Sequence, residues 1–234
     1  MTIISKIRNE LEERSNLQTK KSAERFFREP VKIYGVKSAE VGMIAKKYYK
    51  EIRELPKGEI FALCEKLYQS GMMEESFIVS SWTWAMSKNF KPSDFKVLEG
   101  FVKNHISNWA SCDGFCNHAL GDFMVMYPEY IKKLAGWAVS DNRWVRRAAA
   151  VSLIVPAKKG LFLKESFSIA DILLEDEDDM VQKGYGWLLK AQTEKHTEEV
   201  FEYVMKNKGK MPRTALRYAI EKMSPELKKK AMER

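Results

Sequence analysis

The chain has 234 residues, 45% of them hydrophobic and 31% charged, with a formal net charge of +8. That length can bury a sizeable core and the balance is globular, while no apolar run approaches the ~20 residues that would span a bilayer, so no membrane partner is expected. The opening "MTIISKIRNELEERS" reads as a charged helix and not a signal peptide; the three cysteines, Cys64, Cys112 and Cys116, form no disulfide framework and fit a reducing cytoplasm; and the positive balance points to a polyanionic partner.

In chain order, the N-terminal helices occupy 1–55, interrupted by "VKIYGVKS" (31–38), the nearest approach to a strand and readable as a loop. Helix pairs follow over about 56–222. Pro56, Pro92, Pro128 and Pro212 each sit near a helix start, where a missing N–H costs nothing. The first three are spaced by 36 residues, and each precedes an apolar helix: "GEIFALCEKLYQ", "SDFKVLEGFVKNH" and "EYIKKLAGWAV". Second helices are expected to begin near Met73, Trp109 and Asn142. Further pairs are expected at about 165–174 with 179–191, and 195–207 with 213–222. Ser224 and Pro225 read as N-cap and first position of a C-terminal helix, 224–234. "DNRWVRRAAAVSL" also places Val145, Arg147 and Ala148 where "EDDMVQKGYGWLL" places Val181, Lys183 and Gly184, again 36 residues on.

Helix pairs at a period of about 36 residues predict an all-α fold, an α-solenoid of HEAT-like repeats forming a single domain over 1–234, with an irregular helical bundle as the alternative. At that period, equivalent positions of successive second helices line one concave stripe; by this arithmetic Asp113 corresponds to Ala149 and Tyr185. The stripe would hold Trp109, Asp113, Arg143, Arg147, Lys183, Trp187, Lys190, Arg213 and Arg217, a basic face with interleaved indoles and one carboxylate. Cations neutralise phosphates and indoles pack on sugars and bases, so the stripe as a whole suits nucleic acid; residue by residue, core tryptophans and solvated cations are the better reading.

The stretches "NWASCDGF", "LGDFMVMYPEYI", "SDNRWVRRAA" and "QKGYGWLLK" together resemble the bacterial AlkD-like alkylpurine DNA glycosylases, which are HEAT-like solenoids. The resemblance covers most of the chain and is strongest from about 105 to 192. It implies that Trp109, Asp113 and Trp187 form the catalytic set and that Arg147 holds the DNA backbone. It further implies monofunctional hydrolysis of the N-glycosidic bond of N3- or N7-alkylated purines in duplex DNA, with no cofactor and no metal. The chain departs from the family at Ala110, where an aspartate is common. It departs again at Ala39 and Val41-Gly42, where a proline and an arginine are usual, and at Lys190, where an arginine is frequent. The alternatives are a non-catalytic HEAT-like binder of damaged or branched DNA and a protein-binding scaffold.

The remaining constellations are weaker. Cys112, Cys116 and His118 invite a zinc reading, but a fourth ligand is missing nearby and small buried residues fit better. His105 and His196 read as solvated or capping residues. "EDEDD" (175–179) reads as an acidic turn capping the next helix. There is no Walker A loop, GxGxxG or Ser-His-Asp set. The expectation is a cytoplasmic monomer, associated with the nucleoid when bound to DNA, with Arg143, Arg147, Lys183, Lys190, Arg213 and Arg217 as DNA contacts.

Overall fold

The computed structural model describes residues 1–233; Arg234, where the expected C-terminal helix ends, lies outside the described residues. The chain divides into two compact units, Met1–Phe115 and Cys116–Arg234. Among the described residues the regular structure is helical, and the segment 31–38 is a loop carrying a single parallel bridge from Lys32 to Met72.

The first unit contains α1 (Ile3–Glu13), α2 (Leu17–Phe26), α3 (Ser38–Ile52), α4 (Lys57–Tyr68), α5 (Met73–Ala85), α6 (Phe95–His105) and α7 (Trp109–Phe115). Two layers result: α1, α3, α5 and α7 pack side by side in one, while α4 packs on α6 in the other and joins the first layer through α1 and α5. Each helix buries the stripe its apolar spacing provides, such as Val41, Ile44, Ala45, Tyr48 and Ile52 on α3. α2 is the exception. It buries no residue of its own and leaves Leu17 and Phe26 more than two-thirds exposed. Gly35 fixes its start: φ is +94°, and a Cβ there would lie 2.7 Å from the Asn16 carbonyl oxygen, so only glycine fits.

The second unit begins with a π-helical turn, Cys116–Leu120. It continues through α8 (Gly121–Met126), α9 (Ile131–Ala138), α10 (Arg143–Val151), α11 (Ile154–Lys158), α12 (Leu163–Ile172), α13 (Asp179–Gln192), α14 (Thr197–Asn207), α15 (Arg213–Ala219) and α16 (Pro225–Met232). Here α10, α13 and α15 pack in sequence, α9 packs on α12, and α13 bridges to α12 and α14. Layered helix pairs within each unit are compatible with a helical repeat. The helix starts fall where proline and the caps put them. Pro56 and Pro212 occupy N-cap positions, Pro92 and Pro128 open short 3₁₀ turns, and Ser224 Oγ accepts the Leu227 N–H. Pro156 has no N–H to give the Ser152 carbonyl, and the helix breaks between α10 and α11 at that point.

Strict 36-residue arithmetic does not carry one exposed stripe through the second helices. Val145 and Val181 are both buried, as are Ala148 and Gly184. Asp113 is half-buried, however, while Ala149 and Tyr185 are fully buried. The extra π-turn after α7 and the extra helix α11 make successive pairs unequal in length.

Candidate functional site

In the first unit the site is built on α7. Buried Asn108 caps this helix: its Oδ1 accepts the Ser111 N–H at 2.9 Å and its carbonyl accepts the Cys112 N–H at 3.1 Å. A side-chain cap of this kind stabilises a helix start by about 1 kcal/mol. It sets Trp109 at the first helical position and Asp113 one turn later, on the same face. Both are half-buried, while Ser111, Cys112 and Phe115 of the same helix are buried. α7 therefore presents its indole and carboxylate at a surface and keeps its other face in the core.

One side of the Trp109 indole is already covered. The Phe27 ring stacks on it with centroids 5.3 Å apart and planes 21° from parallel, and Phe26 meets it edge-on at 5.7 Å. Phe27 belongs to a core with Ile33 and Met73, against which Ala23, Val31, Phe77, Trp109 and Ala110 also pack. Ala110, the departure from the usual aspartate, thus lies against an apolar cluster. Sequence reasoning missed the two phenylalanines. The available signal was a Phe-Phe pair closing a helix otherwise rich in charge.

It also missed Glu74 and Glu75, which anchor the loop carrying Ile33. Glu74 is buried and its carboxylate accepts the backbone N–H groups of Tyr34, Gly35 and Val36 at 2.8–3.1 Å. Glu75 is wholly buried; it takes a two-pronged interaction from the Arg8 guanidinium at 3.0–3.3 Å and the Tyr34 hydroxyl proton at 2.7 Å. Burial, and then this bond to Glu75, push the Tyr34 hydroxyl pKa up. Two adjacent acids opening an apolar helix, "MMEESFIVSSW", were the legible sign of such a cradle.

The other expected residues belong to the second unit. Lys183, Trp187 and Lys190 share one face of α13 and are all half-buried. Their ammonium groups are paired: Lys183 with Asp179 at 3.0 Å and Lys190 with Glu221 at 2.9 Å, the latter also 5.4 Å above the Tyr218 ring. Arg143 lies 2.8 Å from Asp178 and packs over the Trp144 ring. Arg147 is 95% buried; it donates to the Met180 carbonyl and lies along Gly184, where a Cβ would come 3.3 Å from Arg147 Cγ. Arg213 and Arg217, on α15, are exposed and have no ion-pair partner among the described residues. The acidic turn explains the pairing of Arg143 and Lys183. Asp178 caps α13 through the Met180 and Val181 N–H groups, as expected, and it and its neighbours also bind Arg143, Arg146 and Lys183. The expected basic stripe thus consists of four cations held by the protein and two that face solvent.

Two histidine readings need correction. His105 is neither solvated nor a cap: its ring stacks on Tyr68 at 5.2 Å and its Nε2 lies 2.8 Å from Glu65. His196 stands at the N-cap of α14, but its side chain makes no capping bond and turns to the Gly160 carbonyl and Glu199. Burial pushes the half-buried His118 below its ordinary pKa, partly opposed by Asp122. Cys64, Cys112 and Cys116 are buried thiols outside any disulfide, and burial pushes the Cys64 thiol pKa up. Among the described residues no three His, Cys, Asp or Glu side chains form a metal-binding group, and no helix is long and apolar enough to cross a membrane.

Comparison with known proteins adds three findings. The family model described as "DNA alkylation repair enzyme" matches residues 7–223. Among solved structures, a protein from Enterococcus faecalis, titled a predicted DNA alkylation repair enzyme, superposes with a TM-score of 0.81 at 16% identity, over 91% of this chain and 98% of that one. No curated protein matches the chain.

Proposed function

The chain belongs to the DNA alkylation repair enzyme family, and from that premise we propose that it is a monofunctional DNA glycosylase releasing cationic N3- or N7-alkylated purines from duplex DNA. The observation that carries the reading is the pairing of Trp109 and Asp113, capped into place on α7 and half-buried at one surface. An alkylated purine already carries the positive charge that makes it a leaving group. Breaking the bond from C1′ to the purine nitrogen returns the electron pair to the base and leaves positive charge on the deoxyribose. A carboxylate at Asp113 stabilises that cation and orients the water whose oxygen bonds to C1′; the water's proton passes to the carboxylate or to solvent. The exposed side of the Trp109 indole attracts the cationic nucleotide, and we propose the same role for Trp187 on α13. Arg213 and Arg217 take phosphates, with Arg143, Arg147, Lys183 and Lys190 supporting them. The family match runs from residue 7 to 223 and so includes both compact units, which supports a single functional domain.

A second reading, DNA binding without excision, is favoured by one observation: Phe27 already occupies one side of the Trp109 indole. Incubation of the protein with duplex DNA methylated at purines, followed by assay of free base, separates the two. Release of methylated purine above the spontaneous rate is expected. Tight binding with no release from several alkylated duplexes leaves only the second reading.

A further inference from the structure

α5 is buried on every side except along one narrow strip. From Met73 to Ala85 only Phe77, Ser81, Trp84 and Ala85 escape burial. Phe77, Ser81 and Trp84 lie at i, i+4 and i+7, on one helical face. Phe77, at one end, packs in the cluster that includes Trp109 and Ala110. Trp84, at the other, is 51% exposed. Its neighbour two positions earlier does what a tryptophan in a core does. Trp82 is wholly buried and its Nε1–H donates to the Ala45 carbonyl at 2.9 Å. A second large indole on the outer side of the same helix exposes apolar area that a folded chain gains nothing from exposing.

The strip lies between two helices that bear on its use. α7, with Trp109 and Asp113, packs on one flank of α5, and α3 packs on the other. The exposed face of α3 carries Met43, Lys46 and Lys50 at i, i+3 and i+7. Neither lysine has an ion-pair partner among the described residues. The unit therefore runs from free cations on α3, through an aromatic strip on α5, to the indole and carboxylate on α7.

We infer that Trp84 is a further substrate-contacting residue, which packs its indole on the sugars and bases of duplex DNA beside the alkylated nucleotide while Lys46 and Lys50 take the adjoining phosphates. The inference rests on the reading of α7 as the excision site. Nucleic acid is the occupant that fits, because cations flanking an aromatic strip match phosphates flanking sugars and bases. Phe77, at the near end of the strip, and Trp109 also pack against the same Phe27, Ile33 and Met73 cluster. An apolar peptide would have no use for the two unpaired lysines.

The test compares Trp84→Ala, Trp84→Phe and wild type on one methylated duplex, by equilibrium binding and by single-turnover base release at saturating protein. Trp84→Ala is expected to weaken binding about tenfold and to leave the saturating release rate within about twofold. Trp84→Phe is expected to recover most of the affinity, which a loss of folded protein would not allow. Binding by Trp84→Ala within twofold of wild type overturns the inference, as does a Trp84→Phe protein that is no better than Trp84→Ala. A wild type that binds the duplex but releases no base overturns the excision reading and leaves the Trp84 contact to be judged on affinity alone. A wild type that binds no DNA overturns both.

Discussion

Asp113 is the residue on which the chemical reading turns, and its placement makes a clean substitution possible. It is half-buried on the exposed side of a capped helix, so asparagine, nearly the same shape, should leave α7 and the Trp109–Phe27 stack intact. On the excision reading, what disappears is a negative charge opposite the developing sugar cation. Loss of one preorganised electrostatic partner at a reacting centre costs on the order of 10²–10³ in rate. Removing an anion from a surface proposed to meet phosphates reduces repulsion. Asp113→Asn is therefore expected to lose base release by about that factor while binding the duplex equally well or slightly better. Single-turnover release measured beside equilibrium binding checks both halves. An Asp113→Asn protein that releases base at the wild-type rate removes Asp113 from the chemistry.

At the scale of elements, the close approach of α13 to α15 rests on one glycine. A Cβ at Gly186 would lie 2.7 Å from Tyr218 Cβ and 2.8 Å from the Ala215 carbonyl oxygen. Backbone cannot swing aside as a long side chain can, so alanine must push the two helices apart. Elsewhere in a helix, glycine to alanine stabilises by up to about 1 kcal/mol. Gly186→Ala is expected to reverse that sign and destabilise by about 1–3 kcal/mol. Gly136→Ala on α9, where nothing lies within 4 Å of the added carbon, should stabilise. Urea midpoints of the two variants with unchanged slopes give the comparison; equal shifts would show that the helices accommodate the methyl group.

The same elements show what was legible in the chain. Helix starts were, because Pro56, Pro212, Ser224 and Asp178 act locally: a missing N–H or a side-chain oxygen marks a helix end wherever the helix goes. The pairing of Trp109 with Asp113 was also legible, since i and i+4 share a face by helix geometry alone. Ion pairs such as Arg143 with Asp178 and Arg146 with Asp176 were not. An acidic turn and a basic helix read as separate features until packing brings them within 3 Å. Phe27 on Trp109 was hidden for the same reason. The residues lie 82 positions apart, and nothing local in either segment names its partner.

For the whole molecule, the +8 charge overstates what DNA would meet. Counterion release counts only cations that reach phosphates, at about 0.9 in the slope of log affinity against log salt per phosphate neutralised. In the second unit Arg143, Lys183 and Lys190 are held by carboxylates, and Arg147 is buried against the Met180 carbonyl. Truncating Arg147 would leave that carbonyl without its bond and a gap over Gly184, so lost affinity there would mix binding with folding. Arg213 and Arg217 avoid the difficulty, being exposed one turn apart on α15 with no ion pair among the described residues. Replacing both with glutamine is expected to flatten the salt slope by about 2 and to weaken binding to alkylated and unmodified duplexes alike, since phosphate contacts carry no sequence or lesion information. Lys183→Gln should flatten the slope by less than 1, because its charge is already shared with Asp179. Fluorescence anisotropy titrations at four or five salt concentrations resolve slopes of this size. If Arg213→Gln/Arg217→Gln keeps the wild-type slope, α15 does not touch the duplex. If Lys183→Gln costs as much as both arginines together, the ion pairs open on binding and the held cations are the ones that meet the phosphates.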